Sequence, residues 1–120
     1  MPTATGHNAA IRASEVIGTD VYQTSGTIIG RIEDIVLDKT SNQIMFAIVG
    51  FGGALTTSGN YYPVPWSVLD YQEAVGGFVV PFSKDELAKG PADSVSELIK
   101  NDGAAARKAA NTHYNVGKDG

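Results

Sequence analysis

Chemistry could begin at three places in this sequence: two histidines, one pair of adjacent carboxylates and one glycine-rich run. His7 and His113 stand at opposite ends of the 120 residues. A histidine-based metal site needs convergent His and carboxylate ligands at a spacing that one element can present. Neither histidine has that, and both read as surface or tail residues. Glu33 and Asp34 are consecutive on a strand-like run. Consecutive strand residues point to opposite faces, so only a bend would turn them into a working acid–base pair. The expected roles are that Asp34 accepts backbone hydrogen bonds at a bend and Glu33 is solvated. Gly50-Phe51-Gly52-Gly53 invites comparison with a phosphate cradle. Leu55 occupies the place of the third glycine in the dinucleotide pattern, however, and no Walker lysine follows. The run reads as a flexible hairpin connection, with Phe51 and Leu55 as candidate contact points for a partner. There is no Gly-x-Ser-x-Gly elbow, and no histidine stands in a credible relation to a serine. The expectation is a binding or assembly module without catalytic residues, cofactor or metal.

Three aromatics, Tyr61, Tyr62 and Trp66, share one strand-like segment. Tyr62 and Trp66 have the parity of Val64, and Tyr61 has the other. One set is expected in the core and the other at a surface. Aromatics with polar tips are common at protein interfaces, so all three are candidate interaction residues. No basic residue lies near them, which argues against nucleic-acid stacking.

Composition points the same way. The net charge is -4, with only 9 basic residues, and these are scattered. Direct binding to a phosphate backbone rests on clustered Lys and Arg, and is not expected. A 42% hydrophobic and 18% charged chain is of ordinary globular composition. There is no cysteine, so disulfides and thiolate metal sites are excluded. The first ten residues lack the basic start and apolar core of a signal peptide, and no apolar run is long enough to cross a bilayer. A cytoplasmic protein with no transmembrane segment is expected.

The elements that must position these residues read as follows. Residues 1–11 form a flexible tail, 12–82 a small closed β-barrel, 83–114 a helical extension and 115–120 a second tail. Arg12 to Ile17 is one helical turn, closed by Gly18. Asp20 to Thr24 is a short strand, turned by Ser25-Gly26. In Ile28 to Leu37 the apolar parity changes: Ile28 and Ile32 lie on one face, Ile35 and Leu37 on the other. That phase slip predicts a bulge near Glu33-Asp34. Ile44 to Val49 is apolar on both parities, so its outer face must be covered by the C-terminal helices or by another subunit. Pro63 and Pro65 mark Tyr61 to Trp66 as an edge or bent strand. Phe78 to Phe82 is the last strand. Ser83 and Glu86, then Ser94 and Glu97, fit helix capping boxes. Val95, Leu98 and Ile99 form one apolar stripe. Asp102-Gly103 interrupts the pattern. Ala104 to Tyr114 is a second helix, with Ala106, Ala109, Ala110 and Tyr114 facing inward.

The order of these features resembles the PRC-barrel family. The resemblance rests on Ser14 and Gly18, on Gly26 and Gly30, on Asp34 and the apolar residues after it, on the strand 44–49, and on Pro65-Trp66; it spans roughly residues 12–82. It implies a mainly β, small SH3-like barrel, here with short C-terminal helices, and a bacterial source. Gly18, Gly30, Asp34 and Pro65 are the positions expected to be structural. Family members include a domain of a ribosome maturation factor, which binds a protein of the small ribosomal subunit, and the cytoplasmic domain of the photosynthetic reaction-centre H subunit. The present chain is expected to be a free-standing member.

The leading expectation is a non-enzymatic module that self-associates, with a dimer favoured and a further protein partner unspecified. The motive is the doubly apolar strand 44–49 on a small barrel. The alternatives are an adaptor in ribosome maturation or RNA metabolism that binds a basic ribosomal protein, and a small-ligand-binding protein.

Overall fold

A computed structural model describes residues 10–50 and 60–117 of the chain. A single helical turn, α1 (Ala13–Val16), leads into strands β1 (Asp20–Gln23), β2 (Ile28–Asp38), β3 (Gln43–Gly50) and β4 (Tyr62–Pro65). A turn of 3₁₀ helix at Trp66–Val68 joins β4 to β5 (Asp70–Gln72), and β6 (Gly77–Val80) follows. The C-terminal part holds α2 (Lys84–Lys89), α3 (Val95–Leu98), a 3₁₀ turn at Lys100–Gly103 and α4 (Ala104–His113).

The six strands make one mainly β, curled sheet in the order β4-β3-β2-β1-β6-β5. The small barrel with short C-terminal helices expected from sequence is present, in the form of a curled half-barrel sheet. Among the described residues β4 and β5 are the two ends of the sheet, so the architecture is a half-barrel. The chain itself bridges the gap, because β4 and β5 are consecutive and only the Trp66–Val68 turn lies between them.

Irregular pairing explains where the side chains point. Ile32 pairs with Val49 and Asp34 with Ile48, which leaves Glu33 as an extra residue on β2. This is the bulge that the parity change predicts. A second slip lies between Val36 and Leu37, which pair with Phe46 and Ile44 and leave Met45 extra on β3. A third lies between Val21 and Tyr22 of β1, opposite Ile28 to Gly30. The slip opposite β1 leaves Ile29 extra on β2 and changes the expected faces at the start of that strand. Ile29 and Ile32 are the buried pair, whereas Ile28 and Leu37 at the strand's ends are 53% and 57% exposed.

Two apolar layers result. Inside the curl, Val21, Ile32, Ala47, Val49, Val64 and Phe78 form the main core. On the outer face Met45, Phe46 and Ile48 pack with Leu98 of α3, joined by Val36, Tyr61, Val95 and Ala106. β3 is therefore buried on both sides, and this chain's own C-terminal helices cover its outer side. Phe46 alone is worth about 3–5 kcal/mol by the usual cost of truncating a buried phenylalanine to alanine.

Short polar contacts start and stop those helices. The Ser83 hydroxyl accepts from the Glu86 amide at 3.2 Å, and the Ser94 hydroxyl from the Glu97 amide at 3.3 Å. Asp93 Oδ1 takes the Ser94 amide at 2.8 Å. Between α3 and α4, three consecutive residues have left-handed backbone: Asn101 (φ 53°), Asp102 (φ 59°) and Gly103 (φ 76°). Gly103 sits against the Phe46 ring, and a Cβ there would lie 3.3 Å from Cε2. A glycine thus lets the connector seat on the sheet. The turn also breaks the helical phase. Ile99, expected on the inward stripe, is 50% exposed. In α4 the inward positions are Ala110 and Asn111, with Ala106 and Tyr114 partly buried; Ala109 faces outward, contrary to expectation.

Candidate interaction surface

The aromatic segment is used for packing. Tyr62 and Trp66 are half-buried against the main core, and Trp66 lies on Phe78 with ring centroids 5.7 Å apart. Tyr61, also half-buried, packs on the outer layer, and its backbone exchanges two hydrogen bonds with Asp93 (2.9 and 3.0 Å). Neither parity of this strand is a free surface, in contrast to the expected division into core and surface sets. Phe51 and Leu55 lie outside the described residues.

The four positions expected to be structural have distinct surroundings. Gly18 has φ 90°, and its amide donates to the Ile32 carbonyl at 2.7 Å. Gly30 faces β3 so closely that a Cβ would meet Val49 Cγ1 at 2.9 Å and the Gly50 carbonyl at 3.0 Å. Asp34 Oδ1 accepts from the Ile35 amide at 2.8 Å, just past the bulge. Its neighbour Glu33 makes a 3.5 Å contact with Arg31. Pro65 is buried opposite Phe46.

The free edge of β4 is blunted. Tyr61 turns its backbone polar groups outward, to Asp93, so the residues of the same parity, Pro63 and Pro65, also turn their nitrogens outward. Proline has no N–H to offer an incoming strand. At the other end of the sheet β5 has only three residues. Strand addition is a poor way for this sheet to recruit a partner.

His113 is tied down between helices. Its Nε2 lies 2.8 Å from the Glu86 carbonyl, and its ring meets Tyr114 edge-on with centroids 4.6 Å apart. Tyr114 in turn stacks against Phe82, with centroids 4.6 Å apart. Burial of the Tyr114 hydroxyl, with the Glu86 carboxylate as a second cause, pushes its pKa above the ordinary 10.0. Among the described residues no group of three or more His, Cys, Asp or Glu could hold a metal ion, and no helix is long and apolar enough to cross a membrane.

The surface feature that stands out lies between the β2–β3 turn and the α3–α4 connector. It is an open groove with a cavity of about 680 Å³. Its floor is apolar, made by Val36, Leu37, Met45 and Ile99. Leu37 and Ile99, with Ile28 the most exposed large apolar residues among those described, both line it. Asp38, Lys39, Asp102 and Arg107 contribute the polar lining. The β2–β3 turn is held rigid from within. Asp38 accepts from the Ser41 hydroxyl (2.8 Å) and the Thr40 amide (2.9 Å), and Asn42 takes a left-handed conformation at φ 63°. The Ser41 hydroxyl first, then the Thr40 amide, hold the Asp38 carboxyl below its usual range, and Arg107 contributes to the same effect.

Sequence reasoning missed this groove. Leu37 was placed with Ile35 on one face, and Ile99 with Leu98 on an inward stripe. A signal was present in Asn101-Asp102-Gly103, a run of residue types that tolerate left-handed backbone, two residues after Ile99.

The half-barrel, the ordered glycines and the Pro-Trp corner define a small β-barrel class. The PRC-barrel domain model matches residues 9–87, and the chain belongs to that family. A search of the curated proteins found no match to the chain.

Proposed function

We propose that this PRC-barrel protein is a non-enzymatic interaction module that works by self-association, in the cytoplasm. Family membership supports the coarse reading, a small interaction or assembly unit. The observation that carries the finer reading is the groove, where Leu37 and Ile99 remain half-exposed on a protein whose helices already cover the rest of the apolar outer face. The doubly apolar β3 no longer argues for a second subunit, because α3 and α4 cover it within the chain. Leu37 and Ile99 in the groove are the apolar surface that a second copy would cover. Contiguous exposed apolar area bordered by polar groups is the usual mark of an interaction site, and twofold pairing is the commonest solution for one patch on one chain.

Light scattering on eluting protein tests this. The wild type should elute with a mass that rises from one chain towards two as loading increases. Leu37→Asp should shift it towards one chain, weakening association by roughly 30-fold or more, the effect of removing a central contact. Equal folding of the two proteins is checked by circular dichroism. A wild type that stays at one chain mass at all loadings would contradict self-association.

A further inference from the structure

Two of the groove's charges are already employed and two are not. Asp38 is held by its own turn and sits in the field of Arg107. Lys39 and Asp102, by contrast, make no side-chain hydrogen bond or ion pair among the described residues. Both are exposed, and both line the same groove beside Leu37 and Ile99. They are of opposite sign, and they lie on different elements: Lys39 on the β2–β3 turn, Asp102 on the α3–α4 connector. The Asp102 backbone is left-handed (φ 59°), a conformation that costs energy for any residue with a Cβ.

From this arrangement we propose that the groove is the twofold face of a homodimer. The groove of one copy takes Leu37 and Ile99 of the other, and Lys39 of each copy pairs with Asp102 of its partner. The inference rests on the self-association reading and adds the surface and its pairing rule. In a twofold contact, whatever residue i of one chain does to residue j of the other happens twice, with the roles exchanged. A patch with one unpaired cation and one unpaired anion beside exposed apolar residues satisfies itself under that operation. The two apolar side chains supply affinity, and the two ion pairs fix register and exclude other partners. A strongly basic or acidic partner would meet one matching and one repelling charge on this surface, and a second copy meets two matches.

A charge-reversal cross tests the rule without depending on an unknown ligand. Lys39→Glu leaves a copy with two acidic groups at the rim, and Asp102→Lys leaves one with two basic groups. Each variant alone should associate with itself about 10-fold more weakly than the wild type, because both attractions become repulsions. Mixed in equal amounts, the two should form a heterodimer, since each of its two contacts joins a carboxylate to an ammonium. The double variant Lys39→Glu/Asp102→Lys should pair with itself again. Native mass spectrometry of mass-tagged chains at low ionic strength reads all four species directly, and added salt should reduce the preference for the heterodimer. The pairing rule is overturned if mixing yields only the statistical proportion of heterodimer, or if the double variant is no better than the singles. If those variants all dimerise as the wild type does, self-association survives and the groove is not its face. A monomeric wild type overturns both. Both substituted residues are exposed and outside the core, so melting temperatures within a few degrees of the wild type verify that the variants fold.

Discussion

At the scale of single residues, the fold depends on a few places where nothing larger than hydrogen fits. Gly30 is one of them. A methyl group there would press on Val49 Cγ1 and on the Gly50 backbone at or below 3.0 Å, and backbone cannot yield as a side chain can. Gly30→Ala should destabilise the protein by about 1–3 kcal/mol, the usual range for overpacking, measured by urea denaturation. An unchanged midpoint would show that β2 and β3 can separate at no cost. Asp34 and Pro65 act differently. One satisfies an amide next to a bulge, and the other fills a buried edge position that has no partner strand to serve. Glycine and proline positions of this kind are legible in a sequence because backbone sterics restrict which residues can stand there. The groove residues are not legible in that way. Leucine and isoleucine look the same in a sequence whether they end up buried or exposed, and only the pairing register decides.

At the scale of elements, the same contrast recurs. The bulge at Glu33 could be foreseen because it leaves a parity change in an otherwise apolar run, and α2 and α3 could be foreseen from their capping serines. β5 could not, since Asp70-Tyr71-Gln72 has no apolar run and owes its strand to pairing with β6. The slip at Met45 was hidden because residues on both sides of it are apolar. A register shift within Ile44 to Val49 leaves no trace in the pattern, yet it puts Met45 in the same outer layer as Phe46, where Met45 lines the groove. The helical phase failed at Ile99 for a local reason: it is the C-cap of α3 (φ -93°, ψ 0°), and after Lys100 three left-handed residues follow.

The seating of α4 can be tested through Tyr114. Its hydroxyl is buried without a hydrogen-bond partner among the described residues, while its ring stacks on Phe82. Because the folded-state pKa lies above the ordinary 10.0, the folded protein holds this proton more tightly than the unfolded chain does. The corresponding stability is fully present below pH 10 and is lost as pH rises beyond it. Tyr114→Phe keeps the stacking and removes the unpartnered hydroxyl. At neutral pH it should be neutral or stabilising by up to about 1 kcal/mol, and its advantage over the wild type should grow above pH 10. Parallel melting curves at rising pH check this. A variant that melts well below the wild type at neutral pH would mean that the hydroxyl has a partner.

At the scale of the whole molecule, the chain is a PRC-barrel that completes its own coat. The curled sheet leaves one end strand with proline nitrogens facing out and the other only three residues long. Neither edge favours growth into a longer sheet. The outer face of β3, which would otherwise demand a partner, is closed by α3 and α4. A localised patch lies at the junction of the sheet and its helical extension, where the β2–β3 turn and the left-handed connector border an apolar groove with Lys39 and Asp102, two charges unpaired among the described residues. The proposed association uses side chains on a fixed frame, and it should proceed with little rearrangement of the backbone.

The measurement that tests this most directly is a dilution series followed residue by residue in amide NMR spectra of the isotope-labelled wild type. Association through the groove predicts concentration-dependent shifts confined to residues 36–40 and 99–104, with one midpoint for all of them. Shifts centred on β5, on α1 or on the Gly26 turn, or spectra that do not change with concentration, would contradict the groove as the self-association face.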